Sequence, residues 1–101
     1  MGEVGARIPA SQEFLDSLTR GLNATVEDED FSTRRVGKYS TVYTVFFTDG
    51  VTGRRLKTEF TVEIEDLEPF VLTEIRFYIE SLTRTFIRQR LEFERAFYVK
   101  S

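Results

Sequence analysis

Between Arg55 and Glu65 the chain alternates without a break. Leu56, Thr58, Phe60, Val62 and Ile64 take the even positions, and Arg55, Lys57, Glu59, Thr61, Glu63 and Glu65 the odd ones. A period of two describes a strand with one face on a core and the other in water, as in most antiparallel sheets. Upstream, residues 41–48 are dense in β-branched and aromatic side chains, which fit a pleated surface. Asp49-Gly50-Val51-Thr52-Gly53 lies between the two runs and holds two glycines able to take positive φ. The pattern predicts a β-hairpin over 41–65, with a shorter strand near 31–36 completing a sheet of two or three strands over 31–65.

Helical spacing flanks this sheet. Ser11 is a candidate N-cap, and Phe14, Leu15, Leu18 and Leu22 share one face of a short helix over 11–22. Gly21 or Asn23 can end it in a left-handed conformation. Residues 1–9 are expected to form a flexible arm ahead of it. Pro69 suits a first helical turn, the acids before it suit the positive end of the dipole, and no Gly or Pro follows up to Ser101. Val71, Ile75, Tyr78, Leu82, Phe86, Phe93 and Phe97 form one apolar row of a helix over 69–98, and Leu72, Ile79, Ile87, Leu91 and Tyr98 a second. The fold class expected is α+β: a short and a long helix on one face of an antiparallel sheet, in a single domain.

The length of the second helix carries the first functional expectation. Thirty residues extend about 45 Å, whereas a sphere with the radius of gyration of a 100-residue domain is about 34 Å across. Phe93, Phe97, Tyr98 and Val99 are therefore expected past the end of the domain, where exposed aromatics mark an interaction surface. A bend near Thr83–Thr85, or a strand at 96–99, would instead return them to the core.

Composition narrows the chemistry. Of 101 residues 41% are hydrophobic, with ten Phe and four Tyr, so the chain has the apolar content to fold. It contains no Cys and no His. Thiolate nucleophiles, disulfides, His-based triads and zinc sites of the usual ligands are thereby excluded. Residues 1–10 show no apolar run of the signal-peptide kind, and no stretch reaches the roughly 20 apolar residues of a membrane span. A soluble cytoplasmic protein without membrane attachment is expected, with a virion as the second location.

The net charge is −3, a balance unsuited to broad phosphate binding. Glu27-Asp28-Glu29-Asp30 matches no calcium-loop pattern and reads as a solvated acidic loop. Glu59, Glu63 and Glu65 fall on the wet strand face, where alternate positions are about 7 Å apart. Asp66 and Glu68 continue them into an acidic line of the kind a nucleic-acid mimic presents. Basic residues gather at Arg34, Arg35 and Lys38, at Arg54, Arg55 and Lys57, and at Arg84, Arg88, Arg90 and Arg95. The first two groups form a phosphate-binding edge only if the short strand brings them together. The order helix, three strands, helix is similar to that of double-stranded-RNA-binding domains. The acids at 63–68, however, stand where such a domain would need to meet phosphate.

No pair of carboxylates is held in one cleft by this pattern, and neither catalytic residues nor a cofactor are expected. The function expected is protein–protein interaction through Phe86, Phe93, Phe97 and Tyr98, ringed by Arg84, Arg88, Arg90 and Arg95. A second copy of the chain or a larger assembly is the simplest partner. The alternatives are an inhibitor using the acidic face (Glu59, Glu63, Glu65, Asp66 and Glu68) and a weak nucleic-acid binder using the Arg-rich edge.

Overall fold

Strand β3 (Ser40–Asp49) is the one on which the sheet is assembled; it lies between two edges with different partners. On one side β4 (Arg55–Glu63) pairs with it antiparallel, from Ser40↔Glu63 to Thr48↔Arg55. Along the other side run β2 (Phe31–Arg35) and the two-residue β1 (Ala24–Thr25). The computed structural model describes residues 11–100, with side chains to Tyr98. The arm expected at 1–9 and the side chain of Val99 lie outside the described residues.

β1 and β2 are one strand interrupted. Residues 26–30 lie opposite only Phe46 and Phe47, and the surplus winds into a 3-10 turn at Asp28–Asp30. This turn is the acidic run. The Asp30 carboxylate accepts from the Glu27 N–H at 3.0 Å and is buried, where Arg55 of β4 pairs with it across the outer face of β3. One acid of the run is thus a clasp between the two edges of the sheet.

The other face of the sheet is the core. Tyr43, Val45 and Phe47 of β3, Leu56, Phe60 and Val62 of β4, and Phe31 of β2 meet Leu15 and Leu18 of α1 (Gln12–Thr19). From α3 (Leu72–Lys100) come Ile79, Ile87 and Leu91. A row of rings crosses this layer from helix to helix: Phe14, Phe31, Tyr43, Phe60 and Phe86 follow one another at 5.5, 6.1, 5.3 and 4.9 Å between centroids. Edge-to-face and stacked pairs each add about 0.5–1.5 kcal/mol beyond the area they bury.

The short helix is capped as expected, since Ser11 Oγ accepts from the Phe14 N–H at 3.2 Å. Both candidate terminators are left-handed, Gly21 at φ +79° and Asn23 at φ +54°. At the hairpin only Gly53 takes positive φ, at +76°. Gly50 is needed for a different reason: a Cβ there would stand 2.8 Å from the Asn23 carbonyl oxygen, which accepts the Gly50 N–H.

Two boundaries differ from the pattern. The strand stops at Glu63, and Glu65 belongs to a single helical turn, α2 (Ile64–Leu67). The long helix starts at Leu72 instead of Pro69, with the Val71 carbonyl accepting its first bond from Ile75 N–H. From there it is continuous, with no bend at Thr83–Thr85 and no strand at 96–99.

The expected overhang of its C-terminal end is also revised. The molecule measures 43 × 25 × 23 Å, so α3, about 43 Å long, spans the long axis of an elongated body. Phe86 stacks on Phe60, while Glu94 pairs with Arg54 at 3.2 Å. Helix residues 86 to 94 therefore run beside β4 from Phe60 back to Arg54, the residue before the strand. The hairpin turn lies against the C-terminal end of the helix, with Arg54 at Glu94 and at the Tyr98 ring.

The docking is electrostatic at its end. Arg95 donates through Nε and Nη2 to Oδ1 of Asp49 at 3.0 and 2.8 Å, and through Nη2 to the carbonyls of Leu22 and Asn23 at 2.8 and 2.9 Å. Asp49 is fully buried and also accepts from Val51 N–H and the Thr52 hydroxyl. Burial pushes its carboxyl up, but the hydrogen bonds from Arg95, Val51 and Thr52 outweigh this, and the group ionises below its ordinary range. A carboxyl held down in the fold stabilises it fully above the unfolded value, about 3.9, and loses that stabilisation as pH falls towards the native value. Asp49→Asn is expected to cost about 3 kcal/mol, the lower end for one partner of a buried pair, since Arg95 stays partly solvated. Urea denaturation at neutral pH measures this, and below about pH 4 the variant should lose stability less steeply than the parent.

Candidate interaction surface

The residues expected to meet a partner fall into three groups. Phe86 belongs to the core, half-buried with its ring stacked at 4.9 Å on Phe60, so the expectation of a free anchor is corrected there. Phe93 and Phe97 are 70% and 66% exposed, and Tyr98 is 43% exposed with the Arg54 guanidinium 5.6 Å from its ring. The arginines divide in the same way. Arg84 donates to the Ser17 and Arg20 carbonyls at 2.7 and 3.0 Å, satisfying the C-terminal end of a helix that has no basic residue in its own last turn. Arg95 makes the contacts to Asp49, Leu22 and Asn23 already described. Neither is a rim residue; both tie α3 to the rest of the chain.

Arg90 and Arg88 remain at the surface. Arg90 pairs with the buried Glu94 at 3.1 Å and lies 5.8 Å from the Phe93 ring. Arg88 is exposed, and among the described residues no ion pair joins it to Glu92. Glu94 is held from two sides, because Arg54 approaches its second oxygen at 3.2 Å as an ion pair without a hydrogen bond.

The direction of Phe93 and Phe97 follows from Arg95. Each is two residues from it, hence about 200° around the helix. Arg95 points to the loop after α1, and α1 lies over β2, where Phe14 meets Phe31. Phe93 and Phe97 therefore point the opposite way, past β4. Among the described residues β4 pairs with β3 alone, so its outer side is an unpaired edge. The arrangement is a strand edge with two phenyl rings beside it.

The edge can be read residue by residue. Asp49 N–H donates to the Arg54 carbonyl and Ile64 N–H to the Tyr39 carbonyl, one bond at each end of the ladder. In an antiparallel pair, alternate residues turn their polar groups to the same neighbour. The even residues of β4 thus face β3, and Arg55, Lys57, Glu59, Thr61 and Glu63 turn their N–H and C=O groups to the open side.

The acidic line is shorter than its sequence suggests. Thr61 stands between Glu59 and Glu63, and Glu65, Asp66 and Glu68 have left the strand for α2 and the turn after it. Glu59 accepts from the Thr44 hydroxyl at 3.0 Å and Glu63 from the Ser40 hydroxyl at 2.7 Å, so both are engaged across the sheet. The Arg-rich edge does not form either. Arg34 and Arg35 sit on β2 opposite Val42 and Thr41, whereas Arg55 sits on β4 opposite Thr48, on the other edge and about 20 Å along the sheet.

Three exposed aromatics, Tyr39, Phe46 and Phe77, were not singled out by the pattern. Phe46 lies on the outer sheet face between Arg55 and Lys57, 5.3 and 6.0 Å from its ring centre. Adjacent phenylalanines in a strand must point to opposite faces, so Phe46-Phe47 contained that signal. Phe77 is exposed beside an open cleft of about 420 Å³ between α1 and α3, also lined by Phe14 and Arg76. It falls outside both apolar rows.

Neither a protein-family model, nor a curated protein, nor a solved structure matches this chain. Among the described residues no group of acids is placed to hold a metal ion, and no helix is long and apolar enough to cross a membrane.

The division between core and surface phenylalanines is measurable. Phe86→Ala should destabilise the fold by about 2–3 kcal/mol, less than a fully buried phenylalanine because the ring is only partly buried. Phe93→Ala should stay within about 0.5 kcal/mol of the parent, as a surface change does. Chemical denaturation at low protein concentration, where association does not contribute, compares the two.

Proposed function

We propose that this protein is a non-catalytic interaction module that self-associates through the outward side of α3, with Phe93 and Phe97 as anchors and Arg90 and Tyr98 beside them. The observation that carries this reading is that two phenylalanines one helical turn apart are about two-thirds exposed on the helix that runs along β4, whose outer edge is unpaired among the described residues. Exposed apolar surface next to open backbone groups has two reasons to be covered. A small component of an assembly, soluble in the cytoplasm or carried in a virion, is the role that fits.

The carboxylates that burial would otherwise make chemically distinctive support a non-catalytic reading. Asp30, Asp49 and Glu94 face Arg55, Arg95 and Arg54, each from a different segment of the chain, so their charge is used in holding the fold. A broken acidic line and basic groups at opposite corners of the sheet do not favour the nucleic-acid readings.

Absolute mass by light scattering behind a sizing column, at low and high salt, is the test. The expected result is a dimer or higher species that persists in high salt, reduced to monomer by Phe93→Asp with Phe97→Asp while the circular dichroism spectrum is unchanged. A monomer at both salts up to about 100 μM, a concentration at which interfaces of ordinary quality assemble, would overturn the reading.

A further inference from the structure

The open edge of β4 has a chemistry of its own. It runs nine residues without a proline, and its ladder to β3 is unbroken from end to end, so it has no bulge. Such an edge is usually blunted by short length, charged side chains, a proline, a bulge or an inward charge, and of these only side-chain charge on the outer face is present. Here the inward residues are Leu56, Thr58, Phe60 and Val62, and the charges all lie on the outer face. Those charges are ordered: Arg55 and Lys57 in the first half, Glu59 and Glu63 in the second.

A strand that is basic at one end and acidic at the other is complementary to itself when reversed. A two-fold axis allows few registers. If Glu59 stands on the axis it faces its own copy, and if Lys57 does, the two lysines meet. With Thr58 on the axis, Lys57 lies opposite Glu59 of the second copy, and Arg55 lies opposite Thr61, each twice by symmetry. The hydrogen-bonding residues then match hydrogen-bonding residues, because 55, 57, 59 and 61 are the ones whose N–H and C=O groups face outward. On the inner side Leu56 falls opposite Phe60 of the second copy. With Phe60 on the axis Lys57 meets Glu63 instead, but Arg55 then passes beyond the paired strand.

From this we infer that a second copy of the chain pairs its β4 antiparallel to this one about a two-fold axis at Thr58, joining the two sheets into one. The inference rests on the self-association proposed above and specifies its partner and geometry. The two α3 helices come to lie on the same face of the joined sheet, antiparallel, on either side of the seam. Phe93 and Phe97 of each point past β4 and so towards the other helix, which covers both of the open features together. The outer-face charges select the register, since opposite charges directly across a strand pair attract and like charges repel.

The absence of cysteine from the chain makes the test direct. Single cysteines are placed at positions 57 to 61, and each variant is oxidised with diamide and run on a non-reducing gel. Residues across a non-hydrogen-bonded antiparallel pair have Cα atoms about 4.5 Å apart, within the range of a disulfide. Thr58→Cys should give the strongest covalent dimer, and Thr61→Cys, about 20 Å from its own copy in this register, should give almost none. Independently, Lys57→Glu and Glu59→Lys should each raise the dissociation constant about tenfold at low salt, and the two together should restore it.

A cross-linking maximum at any other position, or none, overturns the inference, as does a charge swap that fails to rescue. If the parent is a dimer that Phe93→Asp with Phe97→Asp dissolves, yet Thr58→Cys does not cross-link, the strand pairing is wrong while self-association through the helix stands. If the parent is a monomer, both fall.

Discussion

The contact between Arg95 and Asp49 determines where everything else lies. Asp49 ends the central strand, opens the hairpin turn through its own side chain and is fully buried. One guanidinium satisfies it and at the same time takes the carbonyls of Leu22 and Asn23, at the exit from the first helix. Three segments distant in sequence thus share one buried charge pair. Without the carboxylate the guanidinium loses its neutralising partner; without the guanidinium a buried carboxylate is stranded, the more costly fault. Gly50 belongs to the same junction, because Asn23 comes too close to leave room for a side chain.

Fixing the end of α3 there has a consequence for the surface. The ring stack of Phe60 on Phe86 holds the middle of the helix on β4, and Arg54, Glu94 and Arg95 hold its end on the hairpin. Between two such anchors the helix cannot roll. The side opposite Arg95 must face outward beyond β4, and the residues on it are Phe93 and Phe97. The exposure of these rings is therefore imposed by the polar residue between them. The unpaired strand and the exposed rings lie together for one geometric reason, which is that the helix runs along the edge strand.

The local elements were legible in the chain because their information is local. Strict alternation from Arg55 to Glu63 specified a half-buried strand, and Ser11, Gly21 and Asn23 specified the limits of the first helix. The functions of particular residues were less legible, because they depend on distant partners. Nothing near Arg84 or Arg95 says that each will meet carbonyls more than sixty residues away. Phe86 and Phe93 lie on one helical row, and only the position of Phe60 puts the first in the core and leaves the second outside. β1 is two residues long and exists because Ala24 and Thr25 meet the end of β3. Estimating the overhang from a spherical domain also failed, since the body is elongated and the hairpin turn lies against the C-terminal end of the helix.

The claim on which this picture turns is that the outer edge of β4 is where a second copy docks. Residue-resolved amide hydrogen exchange as a function of protein concentration tests it most directly. Even-numbered amides of β4 are bonded to β3 and should exchange slowly at every concentration. The amides of Lys57, Glu59 and Thr61 face the open edge and should exchange fast in dilute solution, becoming protected over the range in which the mass doubles. If the mass doubles while those three amides continue to exchange freely, the copies meet elsewhere and the edge is not the docking site.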